Sequence, residues 1–396
     1  MDGLKGWRNL LVLGLLVMAA VTPRAQGSSA DTATQPWSAP TAIVTALNHA
    51  ARPALLYTTD GTAHVVWESN GSLFYAMRPR NGSWGQAVQI AFGCSPAMVA
   101  DATGTLHVVF ANQFMGNYEI YYIRRQNGSW TLPVNVSHTS GTSGNPALAL
   151  ASDNSLYAAW MDNTPGYWTI YYGRLQGDFW TSEPVPHGRG ESPSLAARPG
   201  GGIYLAWQDR FPASGDDSAG RFDILLSELA NGQWTLPANI SDTPNAESQG
   251  VHITATADEP DRRLAHLIWT EAGKKVNYSY GTDNFWATPQ SIVETSYGAH
   301  GPRILADASG TLLYAAWDEG ERVRVTAAPI MSSRWPKASP IPTTPGSFRD
   351  VVLTLIPLGG VAVAWVQASG PTEVGIFESR QVPDFLYRYW FPVTGR

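Results

Sequence analysis

The sequence predicts an all-β fold: a seven-bladed β-propeller of four-stranded antiparallel blades, with the last blade closed by the N-terminal strand. Two series of anchor residues predict the blade count, and one orphan strand predicts the closure. The first series ends an alternating apolar strand: HVVWES (Trp67), HVVFAN (Phe110), YAAWMD (Trp160), YLAWQD (Trp207), HLIWTE (Trp269), YAAWDE (Trp317) and VAVAWVQ (Trp365). The second series opens a short strand after a turn, at Trp84, Trp130, Trp180, Trp234, Trp286 and Trp335, with one further copy at Trp37. Both step by roughly 43 to 62 residues, the range of one propeller blade.

Each repeat reads as one meander. In the stretch Pro193 to Trp234, a small-apolar run leads through a Gly-rich turn into the strand ending at Trp207. A polar loop then feeds a third strand, Asp223 to Leu229, and Asn231-Gly232 turns the chain into the strand begun by Trp234. Asn-Gly also occurs at Asn81-Gly82 and Asn127-Gly128, and both residue types tolerate the positive φ of a tight hairpin. Pro53, Pro96, Pro146, Pro193 and Pro302 begin first strands. Proline lacks the N–H that a central strand donates, so these strands suit the innermost position, with one edge free along the channel.

Taken in chain order, Lys5 and Arg8 precede the apolar run Leu10 to Ala20, which is too short to span a bilayer. Residues 1–25 read as a secretory signal peptide, cleaved near Ala20 or nearer Ala25, and residues 26–35 as a disordered leader. The propeller occupies 36–382, and 383–396 form an aromatic tail that either packs under the ring or serves attachment. The last repeat has three strands, Val351 to Ile356, Val361 to Val366 and Val374 to Ser379, but lacks a fourth. The strand around Trp37 supplies it, with Tyr389, Trp390 and Phe391 as the alternative.

Composition limits the function classes. The chain is 44% hydrophobic and only 15% charged, with 16 Trp, enough to bury a large core. A net charge of -6 gives no pull toward nucleic acid or acidic membranes. Cys94 is the single cysteine, so the ring holds by packing rather than by internal disulfides. The eight histidines show no metal-ligand spacing, and Asp216-Asp217 lacks the alternating carboxylates of a calcium loop. No cofactor is expected. Sequons at Asn70, Asn81, Asn127, Asn135, Asn239 and Asn277 partly coincide with turns.

The strings RNGSW, QNGSW and ANGQW between third and fourth strands resemble a degenerate Asp-box, the structural repeat of the sialidase and BNR propellers. That resemblance implies an arginine triad for a carboxylate, a Tyr-Glu nucleophile and an Asp acid/base. The triad maps onto Arg52 in ARPA, Arg303 in GPRILAD and Arg349 in SFRDVV, each near the start of an innermost strand. A planar guanidinium binds a carboxylate through two parallel hydrogen bonds. Glu271 or Asp318 would then assist proton transfer.

Chain direction places the strand two-to-three loops and the blade-to-blade connectors on one face. That face collects Asp162, Asp209, Arg210, Glu271, Asp318 and Glu319 after the anchors, with Trp168, Tyr297 and His300 beside them. Sugars stack on aromatic rings and hydrogen-bond to Asp, Glu and Arg. The expected function is therefore a secreted or cell-surface, non-catalytic propeller that binds a glycan or other extracellular polymer. A sialidase-like exo-glycosidase and an extracellular protein scaffold are the alternatives. No nucleic-acid partner and no membrane span in the mature chain are expected.

Overall fold

The structure, a computed structural model, describes residues 37–381 apart from 48, 115, 212–220, 244–245, 260–261, 283–284, 358 and 371–372. The expected signal peptide, leader and aromatic tail, with the alternative closing strand in it, lie outside the described residues, as do Asp216 and Asp217. The described chain forms seven separate antiparallel sheets, each built outward from one innermost strand, as in a seven-bladed propeller. Among the described residues no helix is long and apolar enough to cross a membrane.

The innermost strands are Ala51–Tyr57, Cys94–Ala100, Ser143–Leu150, Glu191–Ala197, Ser248–Glu259, His300–Ala306 and Ser347–Leu355. In blades two, four and five the outer strand comes in two short pieces on the same third strand, as Ser129–Trp130 and Val134–Asn135 do on Glu119–Gln126. Closure follows the orphan-strand argument. Thr41–Leu47 pairs antiparallel with Val374–Arg380 as the outer strand of blade seven, and Trp37 bridges to Gln381. The Ser38 N–H donates to the Arg380 carbonyl at 2.8 Å, and the Ser379 hydroxyl donates to the Ser38 carbonyl at 2.7 Å.

The core lies between the sheets. Trp67, Trp160, Trp207, Trp269, Trp317 and Trp365 are the largest fully buried side chains, with Phe110 in the same role. Each contributes a few kcal/mol of apolar burial, about the cost of truncating such an aromatic to alanine, 3–5 kcal/mol. A typical interblade cluster joins Val66, Leu73 and Tyr75 of blade one to Leu106, Val108, Phe110 and Ile123 of blade two. The outer-strand Trp of one blade meets a Tyr on the third strand of the preceding blade edge-on. Trp130 meets Tyr75 at 5.2 Å between centroids, Trp180 meets Tyr122 at 5.3 Å, Trp234 meets Tyr172 at 5.0 Å and Trp335 meets Tyr278 at 5.2 Å.

Asn127-Gly128 and Asn231-Gly232 adopt positive φ at both residues, as their hairpins require. Asn81-Gly82 does not. There the Gly82 N–H closes a β-turn onto the Pro79 carbonyl at 2.9 Å, and its central residues, Arg80 and Asn81, lie outside the left-handed region.

Every innermost strand begins with a break in register, for example between Ala51 and Ala54, between Cys94 and Ala97, and between Arg349 and Val352. One residue in each break is left-handed: Arg52, Ser95, Asn145, Ser192, Gly250, Gly301 and Asp350, with φ between 49° and 67°. Five of these directly precede a proline, so the prolines sit in bulges at the channel mouth, where no ladder N–H is lost. The bulges lie where the seven innermost strands begin, at one end of the channel, and that end carries the candidate site.

Candidate functional site

The mouth is charged on one side. Arg349 and Asp350 come from blade seven, Arg52 and Glu68 from blade one, and His300, Arg303 and Asp318 from blade six. Of the three arginines expected from sequence, Arg349 and Arg52 contact Asp350, while Arg303 donates from Nη1 to the Pro302 carbonyl at 3.2 Å and senses Asp350 through charge. The Arg52 N–H donates to Asp350 Oδ2 at 3.1 Å, and Arg349 Nε lies 3.6 Å from the same oxygen. Asp350 is also the first charge supporting Arg303, ahead of Asp318. Burial pulls the Arg303 guanidinium below its ordinary pKa against that support.

The guanidinium groups fan out. Arg349 donates from Nη2 to the Ala50 carbonyl at 2.8 Å, tying blade seven to blade one. Arg52 turns its head toward blade two, with Nη1 at 2.5 Å from Ser95 Oγ and 3.6 Å from Glu68 Oε2. Glu68 also accepts the Ser95 N–H at 3.2 Å. The same contact recurs in blade four, where Gln208 Oε1 accepts the Gly250 N–H at 3.0 Å. A residue directly after an anchor, Glu68 or Gln208, thus caps the bulge of the next blade.

Asp318 also directly follows its anchor, Trp317, and stands opposite His300 in the ladder. It is 3% exposed, and burial raises its pKa to about 6. The Gly320 N–H at 3.3 Å and then His300 work against that rise, while Asp350 adds to it. Deeper in the channel wall, His252 of blade five accepts the Ile304 N–H at Nδ1, 3.3 Å away. Burial, then Arg303, lowers His252 to about 3, so it is neutral at ordinary pH.

The acidic residues one position further on turn into their own blades. Asp162 is fully buried and accepts from Thr139, Ser143 and the Thr164 N–H at 2.7 to 2.8 Å. Glu271 accepts from Asn277 at 2.9 Å and Lys275 at 3.3 Å. Glu319 is buried, 3.0 Å from Arg324 Nε and 3.5 Å from Trp317 Nε1. These three hold loops and strand ends. Asp209 accepts the Arg210 N–H at 2.7 Å and lies 4.0 Å from Arg189 Nε. Arg210 covers the Phe222 ring at 4.1 Å. Trp168 is half-buried, Tyr297 is 69% exposed and His300 is exposed.

Sequence reasoning missed Asp350, Glu68 and His252. Asp350 adjoins Arg349 in SFRDVV, but its importance comes from the bulge that turns both residues to the mouth. Cys94 is half-buried, and burial, then Glu68, raises its thiol pKa. Among the described residues no group of three or more His, Cys, Asp or Glu side chains could hold a metal ion.

No known protein family matches the chain by sequence, and no curated protein does. Its backbone resembles several solved structures at low identity. One is a polysaccharide lyase of family PL25, an ulvan lyase bound to a GlcA–Rha3S ligand, with a TM-score of 0.61 at 10% identity over 84% of this chain and 94% of that one. Another is the BP39L lectin of Burkholderia pseudomallei, with a TM-score of 0.57 at 15% identity over 82% and 97%. A third is the α-L-arabinanase of Penicillium chrysogenum complexed with arabinobiose, at 0.53 and 12% over 74% and 98%. At these identities the likeness is one of fold, and it agrees with the propeller built above from sequence and register.

Proposed function

We propose that this protein is a secreted, non-catalytic propeller that binds a glycan at the channel mouth formed by blades six, seven and one. One observation carries the reading: donors and acceptors are interspersed at the mouth, with Asp350 contacted by the Arg349 guanidinium and by the Arg52 N–H, and Glu68 beside the Arg52 guanidinium. Sugar hydroxyls both donate and accept hydrogen bonds, so a rim of mixed donors and acceptors suits a polyol. The arginines outnumber the carboxylates Asp350 and Glu68, so an acidic sugar unit also fits, its carboxylate toward the guanidinium groups and its hydroxyls toward the carboxylates. The lyase, lectin and arabinanase neighbours support the reading by analogy of fold. Glycan-array binding by the mature chain, lost in an Arg349→Ala, Asp350→Ala double variant, is the expected result. A flat array profile for a correctly folded wild type would remove the reading.

Asp318 favours a second reading, a sialidase-like glycosidase. A carboxyl raised to about 6 beside a second carboxylate is a suitable general acid. Turnover of a fluorogenic sialoside would then require protonated Asp318 and fall as pH rises through about 6. It would also be abolished in Arg303→Ala. Absence of turnover at pH 5 leaves the non-catalytic reading in place.

A further inference from the structure

Outside the mouth, one region of the same face has the chemistry of a second contact. A cavity of about 500 Å³ opens between blades one and two. Its wall combines Ile90, Phe92, Phe114 and Tyr121 with the amides of Gln89 and Asn112. Phe92 is 68% exposed and Phe114 71% exposed. Six of the eleven exposed large apolar side chains among the described residues lie between Val88 and Val134. Water-exposed phenyl rings at this density are costly in a soluble surface and mark a contact. The size falls within the range of small-ligand sites, about 300–1,000 Å³.

We infer that this cavity is a subsite for a neutral pyranose unit of the same glycan. The inference rests on the glycan reading of the mouth and names what lies beside it. A pyranose has an apolar C–H face and a rim of hydroxyls. The two phenyl rings and Ile90 offer the C–H face a surface, while Asn112 and Gln89 each present an amide donor and acceptor for the rim. Gln89 is partly engaged already, its Nε2 donating to Ser72 Oγ at 3.2 Å. No charged residue lines the cavity, so it complements the mouth rather than repeating it. The two sites adjoin. Phe92 is three residues before Ser95, the partner of Arg52, which limits their separation along the chain to about 11 Å. An oligosaccharide with an acidic and a neutral unit would span mouth and groove.

Saturation-transfer NMR with cellobiose, lactose and xylobiose as neutral probes, and with glucuronate as the acidic probe, tests this. The proteins are wild type, Phe92→Ser/Phe114→Ser and Arg349→Ala. Both phenylalanines are exposed, and an unchanged β-rich spectrum confirms folding. Transfer to C–H protons of at least one neutral disaccharide is expected in wild type and Arg349→Ala. The serine variant should lose at least ten-fold in affinity, about 1.4 kcal/mol. Glucuronate binding should fall in Arg349→Ala and persist in the serine variant. A wild type that binds no neutral probe, or a serine variant that binds as well as wild type, overturns the subsite and leaves the mouth standing. Glucuronate binding insensitive to Arg349→Ala sinks the mouth instead. Self-association of wild type that the serine variant abolishes assigns the surface to a protein contact and overturns the subsite.

Discussion

The seam between blades seven and one differs from the other six, and the difference separates what closes the ring from what holds its blades together. At each seam one third-strand residue faces the outer-strand Trp of the following blade. It is Tyr75, Tyr122, Tyr172 or Tyr278 at four seams, packed edge-on, and Leu226 or Val325 at two more. At the seventh seam the same ladder position, opposite Ala364, is Glu378. Its side chain is completely buried and lies 2.9 Å from Arg78 Nη2. Tyr57 donates to its second oxygen at 2.9 Å, and Trp84 donates to the first at 3.3 Å. Arg78 also donates to the Tyr57 hydroxyl at 2.8 Å. At the other end of the same seam, Arg349 holds the Ala50 carbonyl and Asp350 the Arg52 N–H. The chain ends meet inside blade seven, where Thr41–Leu47 pairs with Val374–Arg380, and Thr41–Leu47 leads on in sequence to Ala51–Tyr57 of blade one. The seam between seven and one flanks that junction, with Glu378 on the strand that closes it, and directional polar contacts there discriminate register where apolar packing does not.

The largest effect that would break this comparison comes from removing one partner of the buried pair. Glu378→Ala strands the Arg78 guanidinium in the interior and should cost about 3–5 kcal/mol in denaturant unfolding. The double replacement Glu378→Leu/Arg78→Met should recover most of that stability. Its remaining defect should appear as slower or less uniform closure, read from refolding kinetics. If the double variant is as unstable as the single one, the pair is a major source of net stability and the register argument fails.

Acid should attack the ordinary seams first. Behind three of the Tyr–Trp contacts stands a buried histidine bonded to the tyrosine hydroxyl: His64 to Tyr75 at 2.8 Å, His107 to Tyr122 at 2.7 Å and His266 to Tyr278 at 2.9 Å. Burial lowers His64 to about 4 and His266 to about 3, and it lowers His107 against the pull of Asp101. Below the unfolded value of 6.5 the unfolded chain takes up these protons before the folded one does. Stability is therefore full above that pH and falls as pH drops toward the folded values, by up to about 1.4 kcal/mol per pH unit for each histidine. A denaturant series from pH 7 to 4 should show the slope, and His266→Gln should reduce it by about one proton. An unchanged slope would place the acid sensitivity elsewhere.

A smaller effect tests the aromatic contact itself. Tyr172 is half-buried, its ring 5.0 Å from Trp234 and its hydroxyl donating to Glu183. Tyr172→Leu converts this seam into the aliphatic kind already present at Leu226, and it should cost about 1 to 2 kcal/mol. A thermal-unfolding shift of the size expected for Glu378→Ala would mean that the two kinds of seam are not distinct.

How far the sequence carried the fold follows from the same contrast. Anchors such as Trp207 and Trp234 are large, buried and repeated, so each blade's packing is written in residue type and spacing, and the missing fourth strand of the last repeat pointed to Trp37. The polar half of the seam was not legible. Glu378 and Arg78 lie 300 residues apart, and nothing local marks either as buried. Of the charged groups at the mouth, about half stood out in the sequence. Arg52, Arg303 and Arg349 stood out as arginines at the starts of inner strands, and Asp318 as an acid beside an anchor. Asp350 and Glu68 did not, because their roles depend on left-handed bulges that appear only when neighbouring blades are brought together. Asp162, Glu271 and Glu319 looked equally exposed in sequence, yet strand alternation turns them back into their own blades.

The bulges give the last and smallest test. Blades five and six place glycine at the left-handed position, Gly250 and Gly301, whereas the closing seam places Asp350 and Arg52 there on neighbouring blades. A non-glycine residue held at φ 54° costs of order 1 kcal/mol, which Asp350→Gly would relieve. The variant gives up a similar amount through the flexibility of glycine in the unfolded chain, and it loses the bond to the Arg52 N–H. Net stability should therefore stay within about 1 kcal/mol of wild type. Asp350→Val, β-branched in the same conformation, should lose about 2 kcal/mol. The glycan binding proposed for the mouth should vanish in both, because neither keeps the carboxylate that Arg349 and the Arg52 N–H contact. If Asp350→Gly instead destabilises the ring as strongly as Glu378→Ala, then Asp350 is a closing residue first, and the mouth and the seam are one structural device rather than two.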